Sequence, residues 1–114
     1  MRDDRERFAD ILEAAEKIRR KVAEGRDGFD ADEYAQLAVV HLIQIIGEAA
    51  NRLSPEATAA IPDVPWRQIV ATRNRVVHSY FDVDLDLLWN VAAVDIPRLA
   101  DRLSEAHPDV AAHD

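Results

Sequence analysis

The sequence predicts an all-α protein, an antiparallel bundle of four to five helices. Apolar residues recur at i, i+3, i+4 and i+7 in nearly every segment. Glycine, proline and aspartate stand between those segments, where helix ends need them. No stretch alternates apolar and polar residues for long enough to make a useful strand.

A first amphipathic helix runs from about Asp3 to Glu24 on Phe8, Ile11, Leu12, Ala15, Ile18 and Val22, and Gly25 ends it. "GRDGFD" reads as a turn. Ala31 to Leu53 is a second long helix, with Asp30 or Asp32 as its cap. Its single Gly47 suits close helix packing rather than a phosphate loop. Ser54 and Pro55 open a short helix in "LSPEATAAI", the first as N-cap and the second at the first helical position. "PDVP" then breaks the chain, and Pro65 starts a helix expected to reach about Tyr80. After "FDVD", capped by Asp82 or Asp84, a last helix follows Leu85, Leu88, Trp89, Ala92, Ile96, Leu99 and Leu103. Pro97 should kink or divide it, because proline lacks the amide donor and its ring crowds the preceding turn. Residues 1–106 are expected to form one domain, and 107–114 a frayed tail.

The totals bound what such a chain can do. Its 114 residues suit one domain, and 48% hydrophobic with 32% charged residues is the profile of an ordinary globular protein. There is no cysteine, which excludes disulfides and thiolate zinc sites. The start, "MRDDRERFAD", shows no apolar signal region, and Leu37 to Ala50 is too short and polar to span a bilayer, so a cytoplasmic protein without membrane attachment is expected. His41, His107 and His113 lack metal-ligand spacing, so no metal is expected. The net charge of −8 argues mildly against a broad nucleic-acid surface and directs attention to individual arginines.

"ATRNRVVHSY" holds the most informative of them. At about 100° per residue, with Arg73 at the origin, Trp66, Ile69, Val70, Val76, Val77, Tyr80 and Phe81 fall within about 80° on either side. Arg73 is thus expected near the centre of an apolar arc, with Asn74 and His78 at its edge near 100° and 140°, and Arg75 opposite, near 200°. A buried guanidinium without a partner costs on the order of several kcal/mol, so Arg73 requires a carboxylate, a neighbouring chain or an anionic ligand. The second helix offers a carboxylate. Down its apolar surface runs a polar seam of His41, Gln44, Glu48 and Asn51, spaced to share one face, and Glu48 is a candidate partner for Arg73. An exposed cleft at Arg73 is the alternative.

Arg73, Asn74, His78 and Tyr80 form R-N-x3-H-x-Y. Together with "GEA", "PW" and a downstream tryptophan in the same order, the stretch from about Ala35 to Leu99 resembles the HEPN superfamily, and within it the HepT-like toxins. The resemblance implies an endoribonuclease toxin on a four- or five-helix bundle, working without a cofactor. It implies a homodimer whose two motifs face one cleft. It also implies a nucleotidyltransferase antitoxin that can transfer AMP to the motif tyrosine. Arg73, Asn74, His78 and Tyr80 match the motif positions, while Arg75 inherits no role.

The chemistry suits those residue types. RNA is cleaved without metal when its own 2′-hydroxyl attacks the adjacent phosphate. Histidine can exchange the protons near neutral pH. Arginine can grip the phosphate oxygens through a bidentate fork as charge builds. Asn74 can hold the imidazole or a phosphate oxygen, and Tyr80 can bond the phosphate or stack on a base. Arg73 and His78, about 140° apart on one helix, converge poorly within one chain, which is a reason to expect a two-fold dimer. The competing reading is a HEPN module that binds a nucleotide or a protein and cleaves nothing.

Overall fold

The computed structural model describes residues 3–79 and 82–111. Helix α1 spans Asp4–Val22, α2 Arg26–Asp30, α3 Glu33–Asn51, α4 Pro55–Ala59 and α5 Trp66–Val76. Two short strands follow, β1 (Val77–Ser79) and β2 (Asp82–Val83). The chain closes with α6 (Leu85–Asn90), a π-helical turn at Val91–Asp95, α7 (Ile96–Ala106) and α8 (Pro108–Ala111). The all-α bundle expected from the sequence is the fold.

Local chemistry sets the helix ends. The Asp3 carboxylate accepts from the Glu6 amide, Asp32 from Ala35, Ser54 from Ala57 and Asp84 from Leu87. Each satisfies an amide that the first helical turn leaves without a partner. Acidic residues in the first turn of α1 and Arg19, Arg20 and Lys21 in its last complement the helix dipole. Gly25 sits at φ 99°, a left-handed conformation that a side chain would strain, and reverses the chain into α2. "GRDGFD" is therefore a turn containing one short helix, which buries Phe29 against Trp89.

The core lies where α3 packs between α1 and α5, and α7 closes over α1. Ile11 and Ile18 of α1, Val39, Ile43 and Ile46 of α3, and Leu88, Ile96 and Leu103 of the last helices are fully buried. Burying each such side chain stabilises the fold by roughly 1.5–3 kcal/mol. At the crossing of α3 and α5, a Cβ on Gly47 would lie 3.2 Å from the Val70 carbonyl oxygen and 3.5 Å from that of Ile69. The glycine permits this approach, as expected from the sequence.

Pro97 acts as its chemistry requires. It has no N–H, and just before it the helix widens into the π-turn, where the Ile96 amide bonds to the Val91 carbonyl. Within the segment expected to fray, Pro108–Ala111 is helical, Val110 is buried, and Arg5 pairs with Asp109. Among the described residues no helix is long and apolar enough to cross a membrane.

Candidate functional site

Helix α5 is positioned from both ends. Its N-terminus is pinned by Trp66, whose indole N–H lies 3.2 Å from the carbonyls of Thr58 and Ile61. Its C-terminus departs from the sequence expectation. The helix stops at Val76 rather than near Tyr80, and Val77–Ser79 is extended. Two successive β-branched residues followed by His-Ser-Tyr-Phe favour strand over helix. Asp84 seals the change, because its amide takes the Val76 carbonyl at 2.9 Å.

That early end corrects two readings of the site. Arg73 is not in the core stripe. It is exposed, and Ile69, Thr72 and Val76 form the buried face of α5, centred about 65° away from it. The sequence wheel placed Arg73 centrally because it counted Val77, which is extended, as helical and Val70, which is exposed, as part of the buried arc; Phe81 lies outside the described residues. His78, likewise, does not share a helical face with Asn74. It stands in β1, which pairs antiparallel with β2 through Val77 opposite Val83 and Ser79 opposite Asp82. Two steps on one strand match one on the other, so His78 is the extra residue of a bulge. Bulges of this kind re-aim side chains and recur beside active sites. The 140° argument for convergence across a dimer therefore lapses.

The bulge brings His78 toward a residue that the sequence offers only as a helix cap. His78 Nε2 lies 3.9 Å from Asp84 Oδ2. Asp84 is held on two other atoms, its amide on Val76 and its Oδ1 on the Leu87 amide. Oδ2 is left facing the imidazole, and forms an ion pair with it when the ring is protonated. The sequence signal was present in "FDVD", but only the register of the ribbon reveals which aspartate faces His78.

The seam of His41, Gln44, Glu48 and Asn51 is the solvent face of α3, and it continues through Leu37 to Tyr34. Gln44 donates to Glu48 Oε1 at 3.3 Å. Among the described residues Arg73 makes no ion pair, with Glu48 or any other, so the exposed alternative fits its position. Asn74 is exposed beside it. Tyr80 lies outside the described residues. Three large apolar side chains are open on α3 and α5: Tyr34 is 86% exposed, Leu37 42% and Val70 36%. Among the described residues no group of three or more potential ligands could hold a metal ion.

The arrangement offers a guanidinium unpaired among the described residues and an amide at the end of α5 and, in β1 just beyond it, an imidazole with a carboxylate oxygen 3.9 Å away, all exposed. Comparison with known proteins covers nearly the whole chain. Residues 11–106 match the family model described as "Ribonuclease HepT-like". A protein of Thermococcus cleftensis named "Probable ribonuclease HepT" is 33% identical over 98 residues, covering 86% of this chain and 87% of that protein. A Methanocaldococcus jannaschii protein whose name describes it as a "Putative RNase" is 33% identical over 103 residues, covering 86% and 91%. No solved structure matched the chain significantly.

Proposed function

Because the chain belongs to the HepT-like ribonuclease family, we propose that it is an endoribonuclease whose Arg73, Asn74 and His78 cleave RNA without a metal ion. The observation that carries this reading is the joint exposure of those three side chains inside the matched segment. A phosphodiester is too large and too charged to be reached by buried groups.

In the proposed reaction the 2′-oxygen of one nucleotide attacks its own 3′-phosphorus. The new O2′–P bond forms as the P–O5′ bond breaks. The 2′-hydroxyl proton leaves to a base and the 5′-oxygen gains one, giving a cyclic phosphate and a free 5′-hydroxyl. His78 exchanges these protons, and Asp84, whose carboxylate faces Nε2 from 3.9 Å, acts as a positioning residue through its charge and leaves Nδ1 for the substrate. Arg73 grips the non-bridging oxygens, where charge develops. Asn74 donates to a phosphate oxygen from the adjacent position of α5.

The working unit in this reading is a homodimer. Tyr34, Leu37 and Val70 supply apolar surface that a second copy would cover, and Val70 is one helical turn before Arg73. The cleft would then take Arg73 and His78 from both chains. A nucleotidyltransferase antitoxin is proposed to silence it by transferring AMP to Tyr80. The added phosphate would pair with Arg73 and repel RNA from the same place.

Cleavage of RNA in excess chelator tests the catalytic reading. The wild-type chain should leave cyclic phosphate or 3′-phosphate ends, and His78→Ala should cut nothing while its helical circular dichroism is unchanged. Undiminished cutting by the variant removes His78 from the mechanism, and loss of wild-type cutting with chelator points to a metal enzyme. Intact mass after co-expression with the nucleotidyltransferase tests the switch: AMP should appear on the wild type and be absent from Tyr80→Phe.

A further inference from the structure

On the side of α5 away from Arg73, a cavity of about 240 Å³ opens between α5, the loop before it, the π-turn and α7. None of Arg73, Asn74 or His78 lines it. Its floor is apolar, from Val64, Ile69 and Leu99, all buried. Its rim is charged in an unusual way for a chain of net charge −8. Arg75, Arg98 and Arg102 converge there from two helices, together with Asp63 and Asp95. Arg102 is engaged, because its Nε donates to Asp63 at 2.7 Å and thereby fixes the rim. Among the described residues, the side chains of Arg75, Arg98 and Asp95 form no ion pair.

We propose that this cavity binds a nucleotide. Two uncommitted guanidiniums can fork onto a phosphate. One uncommitted carboxylate can accept from an exocyclic amino group. The apolar floor can take the face of a base, and an arginine plane can stack on it. A nucleotide presents all three of these features at once. The volume suits a single nucleotide unit rather than a longer segment. The π-turn adds an independent observation, since its widened backbone forms the wall that carries Asp95, and such turns recur at functional sites. Thr72, only 5% exposed, closes the wall on α5 with its hydroxyl donated to the Gln68 carbonyl at 2.6 Å.

The occupant has two possible sources, a free mononucleotide or a nucleotide of an RNA strand running past the rim. Both present the same chemistry, and the experiment separates them. Titration of the ¹⁵N-labelled His78→Ala chain with AMP, GMP, CMP and UMP removes any dependence on cleavage. At least one of them should shift the amides of Thr72, Arg75 and Leu99. The matching nucleoside alone and inorganic phosphate alone should bind about tenfold or more weakly, as should the nucleotide to an Arg75→Gln/Arg98→Gln variant with unchanged circular dichroism. A short oligoribonucleotide weakened by the same substitutions identifies an RNA strand as the source, whereas one that binds equally well identifies the free nucleotide. Absence of shifts with every nucleotide at about 10 mM, a far weaker affinity than a built site provides, overturns the proposal. Shifts confined to Arg73, Asn74 and position 78 also overturn it.

Discussion

Replacing Gly47 by valine should separate α3 from α5 and disable the site that α5 carries. A single methyl at this position already meets the Val70 carbonyl oxygen at 3.2 Å and that of Ile69 at 3.5 Å. Both atoms belong to the backbone of α5, so neither can rotate away, and the helix itself must move. For Gly47→Ala two effects oppose each other. Alanine gains about 1 kcal/mol in helix propensity. Relief of the tight contact requires a shift of a few tenths of an ångström in a packed helix, which costs about 1–3 kcal/mol. The net result is a loss of about 0–2 kcal/mol. Gly47→Val adds two further methyl groups to the same tight crossing and recovers less propensity, so the loss should rise to about 2–4 kcal/mol. Arg73 lies one turn beyond Val70 and would move with it, so RNA cleavage should fall more than stability predicts under conditions where the variant is fully folded. Urea melts followed by circular dichroism measure the first effect, and cleavage assays the second. A valine variant within about 0.5 kcal/mol of wild type, the range of an ordinary surface substitution, would refute the close crossing.

Three further outcomes follow from individual contacts. Asp84→Asn keeps an oxygen for the Leu87 amide and should retain its fold, but lose the charge facing His78. Cleavage should drop by no more than about fivefold, as fits an exposed pair worth up to about 1 kcal/mol, and Asp84→Ala should in addition lose about 1 kcal/mol of stability with the cap. Asp4 accepts from the Ser54 hydroxyl at 2.6 Å and from its amide at 2.9 Å, and these bonds, the hydroxyl first, hold its carboxyl below the usual carboxylate range. Its contribution is therefore present at neutral pH and lost as the pH falls through that range and below. Wild type should exceed Asp4→Asn by about 1 kcal/mol at neutral pH and converge with it in acid, and a constant gap in melts across that range would contradict the assignment. Glu48→Ala should cost less than about 1 kcal/mol in a urea melt, because Arg73 is exposed and makes no pair with Glu48; a loss of about 3 kcal/mol or more would show a buried pair instead.

The helical framework was legible because its signals are local. Ser54, Asp32 and Asp84 cap where their side chains can reach an amide three residues on, and Pro97 disturbs the helix for want of its own donor. Gly47 was legible as a packing position for a related reason, since a lone glycine in an apolar helix usually admits a neighbour. The end of α5 was not legible. An apolar period continued through Val77, Tyr80 and Phe81, while the β-branched pair Val76-Val77 and the Asp84 amide turned the chain into a ribbon. That error put His78 on a helix and, together with counting the exposed Val70 as buried, placed Arg73 in the core. The motif residues are proposed from type and spacing, which survive a change of local conformation. Asp84 as the neighbour of His78, and the arginine-rimmed cavity behind α5, depend on residues brought together by the fold and carry no spacing signal.

The proposed ribonuclease site reaches furthest in its two-chain cleft, in which Arg73 of one chain acts with His78 of its partner as the family resemblance implies, and subunit mixing tests it most directly. Arg73→Ala and His78→Ala, each purified, should be dimeric and inactive on a labelled RNA. Co-refolded in equal amounts, half of the dimers are mixed, and each mixed dimer holds one intact pairing of Arg73 from one chain with His78 from its partner. The account predicts recovery of about a quarter of wild-type cleavage, from one intact site in half of the dimers. A mixture that exchanges subunits and remains inactive, or either variant cutting alone at the wild-type rate, would contradict it.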